Sequence, residues 1–193
     1  LEELATRYPL QGVQLDYIRY PDRLSCFCPS CRAGFETSEG VSAARWPADV
    51  VSGPLAARYT RFRAGQITRF VRLARERLRK SRPGLSLSAA VYGWYPGCIG
   101  TLGQDWGDWL RRGYVDFVCP MNYTADTAEF TGWLRNQRPL AAARPAIRPG
   151  IGVTSVSSRL NGLQTIDQIQ AARLAGAGGF VLYDLTPALE HDV

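Results

Sequence analysis

Acidic side chains follow two short apolar segments, at the positions where a parallel sheet presents reactive groups. Asp16 comes directly after the strand-like residues Val13 and Leu15, and Asp184 comes directly after segment 179–183. A carboxylate held by a rigid strand can act as nucleophile, general acid or general base. Hydrolysis of a glycosidic bond commonly uses two carboxylates. We therefore take Asp16 as the first candidate catalytic residue and Asp184 as its partner.

Aromatic and polar side chains follow the intervening apolar segments. Sugar rings present apolar C–H faces and hydroxyl edges, so aromatic rings beside amides and carboxylates suit them. We expect Arg19 to orient Asp16 or to lower its pKa. The alternative is that the aromatic rings only pack and that Asp16 caps a loop or pairs with Arg19. The residues expected to line the sugar subsite are Tyr92, Trp94, Asn122 and Tyr123.

Four cysteines form a second constellation. Cys26, Cys28 and Cys31 have the spacing C-x-C-x-x-C, and Cys98 lies in a later loop. Three thiolates at this spacing need one more soft ligand to complete a tetrahedral zinc site, and Cys98 is the candidate for it. Disulfides or free thiols are the alternative. We expect a structural zinc ion and no organic cofactor.

The residue inventory excludes several other chemistries. The single histidine, His191, lies near the C-terminus, so no Ser-His-Asp set or H-E-x-x-H motif is present, and there is no phosphate-binding G-x-x-x-x-G-K-[ST] loop. The net charge is +6, with many arginines between positions 58 and 82. We interpret this cluster as a solvated helix face, not as a nucleic-acid site, because no nucleic-acid motif accompanies it. No apolar run approaches the ~20 residues that span a bilayer.

Strand-like and helical patterns alternate along the chain. Strands are predicted at 12–16, 85–91, 115–119, 146–151 and 179–183, and the last four begin about 30 residues apart, the length of one βα unit. Helices are predicted between them, including 105–112, 127–137 and 165–175. The candidate N-caps are Asp105, either Asp126 or Thr127, and Thr165. This order predicts a parallel sheet with helices packed outside it. A partial (β/α)8 barrel is favoured over an open doubly wound sheet, because the glycine fingerprint of the latter is missing.

Three segments in this order carry a family resemblance. Residues 12–21 read GVQLDYIRYP, residues 103–106 read GQDW, and residues 115–124 read VDFVCPMNYT. They resemble signature segments of the glycosyl hydrolase-like 10 family, bacterial (β/α)8 barrels related to the hydrolase domain of poly-N-acetylglucosamine deacetylases. The cysteine spacing is similar to the structural zinc loop of family-42 β-galactosidases.

The resemblance implies an arrangement and an activity. Asp16 would end the fourth barrel strand, so residues 1–193 would form strands four to eight of one domain that lacks its N-terminal part. It implies a secreted, periplasmic or lipid-anchored hydrolase acting on a polysaccharide. Two positions depart from the family pattern: Gln14, where His is common, and Asn122, where Asp is frequent. A non-catalytic glycan-binding barrel is therefore the alternative function.

Overall fold

All five predicted strands are present in the computed structural model, which describes residues 1–142 and 145–184; His191 lies outside this part. Every neighbouring pair is parallel, and the strands follow one another in the sheet in chain order. The longest pairings join the first three strands, with Gly12 opposite Ser86 and Ser88 opposite Phe117. The strands are β1 (Gly12–Leu15), β2 (Ser86–Tyr92), β3 (Phe117–Met121), β4 (Gly150–Gly152) and β5 (Val181–Tyr183).

Helices precede the sheet and connect its strands, which is the pattern of a partial TIM (β/α)8 barrel. The chain is thus an α/β half-barrel, as the alternation of strand and helix patterns predicts. Arg138–Ala141 adds one turn of 3-10 helix. The α-helices are α1 (Glu2–Arg7), α2 (Pro29–Glu39), α3 (Ala48–Val51), α4 (Ala56–Ser81), α5 (Gly97–Leu102), α6 (Trp106–Arg111), α7 (Thr127–Gln137) and α8 (Gly162–Leu174).

The main hydrophobic core lies between the sheet and its helices, because strand side chains alternate between the two faces. On β2, Leu87, Ala89 and Val91 are fully buried and belong to this core, whereas Ala90 and Tyr92 face the concave side of the sheet. The opposing helices contribute Val71 and Leu78 from α4, Trp106 and Trp109 from α6, and Phe130 from α7.

Two predicted helix starts are confirmed and one is wrong. Asp105 and Asp126 cap α6 and α7, accepting hydrogen bonds from backbone N–H groups of the first turn. Thr165 does not cap α8. The helix begins three residues earlier at Gly162, where Asn161 accepts from the Gln164 N–H and the Gln164 side chain accepts from the Asn161 N–H. This reciprocal pair satisfies two backbone donors and sets the boundary.

A second, aromatic cluster lies within the long connection between β1 and β2. The Tyr59 ring is its centre, with ring centroids 5.0 Å from Phe35, 5.3 Å from Trp46, 5.7 Å from Phe62 and 5.8 Å from Phe27. We call these five residues the aromatic subcore. The Tyr59 hydroxyl donates to the Cys26 carbonyl, so the subcore holds the cysteine segment in place.

An ion pair lies at the N-terminal end of the sheet, opposite the strand ends that carry Asp16 and Asp184. Arg75 Nη2 of α4 lies 2.6 Å from Asp116 Oδ2. The same carboxylate oxygen accepts the Leu87 N–H at 2.7 Å, and Arg75 Nε donates to the Tyr114 carbonyl at 3.0 Å. These contacts tie α4, β2 and the start of β3 together. Among the described helices, none is both long and apolar enough to cross a membrane.

Candidate active site

A cavity of about 760 Å³ opens on the concave side of the sheet, at the C-terminal ends of the strands. In a barrel of parallel strands this is the catalytic face. Its charged lining residues are Asp16, Arg19 and Asp184. Its aromatic lining residues are Tyr17, Tyr92, Trp94, Tyr123, Trp133 and Tyr183. Six of the seven sequence-predicted catalytic and sugar-binding residues therefore share one cavity.

The two candidate catalytic carboxylates come from the two edge strands of the half-barrel. Asp16 follows β1, is exposed, and accepts a hydrogen bond from the Tyr17 N–H at 2.7 Å. Asp184 follows β5, accepts a hydrogen bond from the Thr154 hydroxyl, and donates from its own N–H to Thr154 Oγ1 at 3.0 Å. The cavity thus has an exposed acid on one side and an acid held by the Thr154 side chain on the other.

Tyr123 lies near both carboxylates. Its ring stacks on that of Tyr183, with centroids 5.0 Å apart. Burial, reinforced by the neighbouring Tyr183 and by the carboxylates of Asp16 and Asp184, raises the pKa of Tyr123 to about 12. The hydroxyl therefore stays protonated at neutral pH and can donate a hydrogen bond into the cavity.

Asn122 is placed differently from the prediction that it contacts substrate. It is fully buried and outside the cavity lining. Its Nδ2 donates to Gln137 Oε1 at 3.0 Å, and Gln137 Nε2 donates back to Asn122 Oδ1 at 2.8 Å and to the Gly93 carbonyl at 2.9 Å. A methyl group on Gly93 would overlap Asn122 Oδ1. The two amides therefore fix the ends of β2 and β3 against α7. Because they bond to each other and to the Gly93 carbonyl, they are not directed at a ligand in the cavity.

Gln104 is a site-forming residue that the sequence analysis did not single out. It is fully buried, accepts the Tyr92 N–H at 3.0 Å and donates to the Ile18 carbonyl at 3.3 Å. Trp106 Nε1 donates to the Tyr92 carbonyl at 3.1 Å. The GQDW segment thus positions the end of β2 that carries Tyr92. The sequence signal for this role was that GQDW is one of the three segments that resemble the family.

Arg19 lies in the cavity wall beside two aromatic rings. Its guanidinium carbon is 5.0 Å from the Tyr17 ring centroid and 5.2 Å from that of Tyr92. It forms no ion pair with Asp16 or any other acid of the described chain, and its one side-chain hydrogen bond reaches the Tyr20 carbonyl at 3.5 Å. The alternative that Asp16 pairs with Arg19 therefore has no counterpart in this structure.

Trp133 and Thr154 also line the cavity without having been predicted. Trp133 lies on α7, at the margin of the face that buries Phe130, Leu134 and Gln137. A tryptophan within an amphipathic helix gives no separate sequence signal for a binding role. Thr154 follows β4. Its position shortly after a predicted strand was the sequence signal that could have identified it as a cavity residue.

The cysteine segment brings three of its four predicted ligands together. The Sγ atoms of Cys26, Cys28 and Cys31 lie within 4.8 Å of one another. Cys98 does not join them: it is buried in the main core, and its thiol donates to the Gln104 carbonyl at 3.2 Å. The Cys31 N–H and the two neighbouring thiols lower the pKa of Cys28, whereas burial raises the pKa of Cys31 to about 12.

The donor chemistry of this cluster fits a zinc ion. Cys28, which caps the N-terminus of α2, is the thiol with the lowered pKa. Zinc coordinates thiolates, and structural sites take four ligands in a tetrahedral arrangement. The described residues provide three of these ligands. The cysteines of the described chain form no disulfide bond with one another.

Comparison with known proteins agrees with this architecture. A family model for Glycosyl hydrolase-like 10 matches residues 1–146. The chain belongs to this family. The glycoside hydrolase domain of PgaB (BpsB) from Bordetella bronchiseptica is similar in structure, with a TM-score of 0.79 and 15% sequence identity. The match covers 98% of this chain and 56% of that one, so the chain spans little more than half of the solved domain. No curated protein matches it.

Proposed function

We propose that this chain is the catalytic part of a glycoside hydrolase that cleaves a polysaccharide. The observation that carries the proposal is the pair of carboxylates, Asp16 and Asp184, placed on opposite sides of one cavity with aromatic walls. Glycosidases act through two carboxylates that flank the scissile bond. Membership of the Glycosyl hydrolase-like 10 family supports the same reaction class.

The surroundings of each acid suggest its role. Asp16 is exposed and has no cationic partner among the described residues, so we assign it as nucleophile or general acid. Asp184 is oriented by Thr154, and we assign it as the partner carboxylate. Tyr123, protonated and close to both, would donate a hydrogen bond to a sugar oxygen. Tyr92 and Trp94 would stack on sugar rings.

Replacement of the two acids tests the proposal. Asp16→Asn and Asp184→Asn should each lower kcat on a cleavable polysaccharide by about 10²–10⁴-fold, because acid–base catalysis contributes that much. The readout is the release of reducing ends. Asp167→Asn, an exposed position on α8, is the matched control and should retain full activity. Wild-type turnover by Asp16→Asn would contradict the assignment.

A non-catalytic glycan-binding barrel is the second candidate function. The observation that favours it is Asn122, where the family resemblance suggests an aspartate and where this chain has an amide engaged with Gln137. Glycan binding without turnover, unchanged in Asp16→Asn, would select this alternative.

We further propose that Cys26, Cys28 and Cys31 hold a structural zinc ion with a fourth ligand other than Cys98. Purified protein should contain about one zinc per chain, and Cys28→Ser should lose it. Cys119→Ser, which removes a thiol from the sheet, should retain the metal. Absence of zinc, together with a disulfide detected by mass spectrometry, would instead favour the alternative that these cysteines form a disulfide.

The cellular location follows only from the family resemblance. We propose a secreted, periplasmic or lipid-anchored protein, because a polysaccharide substrate is accessible there. The single-domain organisation over residues 1–193, with further strands upstream, is proposed on the same basis. Neither proposal affects the assignment of the cavity residues.

A further inference from the structure

We infer that the cavity selects acidic polysaccharides, with Arg19 binding the carboxylate of a uronic acid unit. This inference rests on the proposed glycan site and adds its substrate class. It begins from a cation in the cavity wall that no acid of the described chain neutralises, although Asp16 is only three positions away in sequence.

The guanidinium group retains most of its hydrogen-bonding capacity. Arginine carries five N–H donors, and the Arg19 side chain makes a single hydrogen bond, at the long distance of 3.5 Å, to the Tyr20 carbonyl. The rings of Tyr17 and Tyr92 lie 5.0 and 5.2 Å from its guanidinium carbon. These contacts restrain the guanidinium group and leave its N–H donors for a ligand.

The chemistry of such a donor set favours a carboxylate. A planar guanidinium matches a planar carboxylate through two parallel hydrogen bonds, a geometry that a hydroxyl cannot reproduce. The neighbouring Tyr92 ring supplies an apolar face for the same sugar ring, which would place the carboxylate of a stacked uronic acid close to Arg19.

The distribution of charge is compatible with an acidic ligand. Arg19 lies beside the end of β2, whereas Asp184 follows β5 at the far edge of the sheet. Asp16 is not within ion-pair distance of the guanidinium group in the described chain. The net charge of +6 also favours the approach of a polyanion. The cavity lining thus places Arg19 away from the Asp184 carboxylate, whereas Asp16, without an ion-pair partner in the described chain, lies with Arg19 on the β1 side.

Paired polymers test the inference. Polygalacturonate, alginate and glucuronan should be compared by isothermal titration calorimetry with their carboxyl-reduced, neutral counterparts. We expect at least one acidic polymer to bind about tenfold more tightly than its reduced form, and Arg19→Gln to abolish that difference while binding to the neutral form is kept. Arg19→Lys should restore only part of it, because a lysine lacks the planar fork.

The matched control separates recognition from general charge. Arg61→Gln removes an exposed arginine of α4 outside the cavity and should leave the preference intact. Equal binding of every acidic polymer and its reduced form, an equal loss of preference in Arg61→Gln, or tighter binding of dextran sulfate than of any polyuronate would each overturn the inference.

These outcomes are distinct from failure of the proposed function. Hydrolysis of a neutral glycan with no acidic preference would overturn the role of Arg19 and leave the hydrolase standing. An acidic preference that depends on Arg19, without hydrolysis of any polymer, would support the inference and contradict the hydrolase.

Discussion

The side chain of Asn122 differs from that of an aspartate in carrying an amide nitrogen in place of one carboxylate oxygen. That nitrogen allows the residue to be buried beside Gln137. An amide offers both a donor and an acceptor, and Gln137 uses both at 3.0 and 2.8 Å. A carboxylate at this position would set two acceptor oxygens against each other inside the protein. The burial of Asn122 is thus stable because its partner is a second amide.

Asn122→Asp should therefore destabilise the fold by about 2 kcal/mol at neutral pH, through a lost donor and a buried charge. Burial raises the pKa of the new carboxyl group, so the folded state binds a proton more readily and stability should recover as the pH falls. Urea denaturation at neutral pH and at pH values near the ordinary carboxyl pKa of about 4 measures both effects. Asn136→Asp, at an exposed position of α7 next to Gln137, should change stability little.

Asp116 provides a second prediction at this scale, with the opposite dependence on pH. Burial raises its pKa, but the Leu87 N–H and the Arg75 guanidinium outweigh burial, and the pKa lies below its ordinary value. Its stabilising contribution is present above the unfolded pKa of about 3.9 and is lost as the pH falls through the lower folded pKa.

Asp116→Asn should cost about 1 kcal/mol at pH 7, a value reduced because the Asp116 side chain is 45% exposed. The difference from wild type should disappear at strongly acidic pH, as measured by thermal or urea unfolding. A pH-independent deficit would contradict the ionic origin. Glycan binding should be unchanged, since the residue lies at the opposite end of the sheet from the cavity.

Strand alternation decides which of the predicted site residues face the cavity, whereas the hydrogen-bond partners of the others have no sequence signal. Asp16, Tyr92 and Tyr123 all line the cavity, as the alternation of side chains along each strand predicts. Asn122 was misplaced, because the alternation that turns Tyr123 into the cavity turns its chain neighbour to the opposite face, where it pairs with Gln137 on another element. The sequence pattern carries no signal for that pairing.

At the scale of elements, proline explains the strand whose bounds were least well predicted. Segment 146–151 was predicted as a full strand, yet β4 is only Gly150–Gly152, with an isolated bridge from Ile147 to Val118. Pro149 and Pro120 of the neighbouring strand have no N–H, which leaves Met121–Gly150 as the single paired position between β3 and β4.

The start of α8 gives an element-scale prediction. Asn161→Ala removes the acceptor for the Gln164 N–H and should destabilise the protein by about 1 kcal/mol, measured by urea denaturation. Gln170→Ala, at an exposed position within the same helix, is the control and should have little effect. An equal effect of both substitutions would show that helix propensity, not the cap, is responsible.

At the scale of the whole molecule, pairing and burial predict a gradient of local stability across the sheet. β2 pairs along most of its length with both neighbours and is largely buried, whereas all three residues of β5 are exposed. Amide hydrogen exchange should therefore be slowest in β2 and β3 and fastest in β5. Uniform protection across the five strands would contradict this gradient.

The half-barrel itself was predictable because strand spacing and helix patterns repeat, and each repeat is a local signal. The position of Cys98 was not, because proximity of two loops in a barrel does not determine which way a thiol points. Its side chain is directed into the core, where its thiol reaches the Gln104 carbonyl. Architecture thus followed from repetition along the chain, whereas ligand sets depended on tertiary packing.

The aromatic subcore gives the connection between β1 and β2 a small core of its own. Its buried residues form a cluster separate from the main core, so substitutions there can alter the cysteine segment without repacking the sheet. A separately packed connection of this kind can change its loop length or its metal dependence while the cavity keeps its geometry. We expect the substitution of one aromatic ring in the subcore to be tolerated best when a neighbouring ring changes in size to offset it.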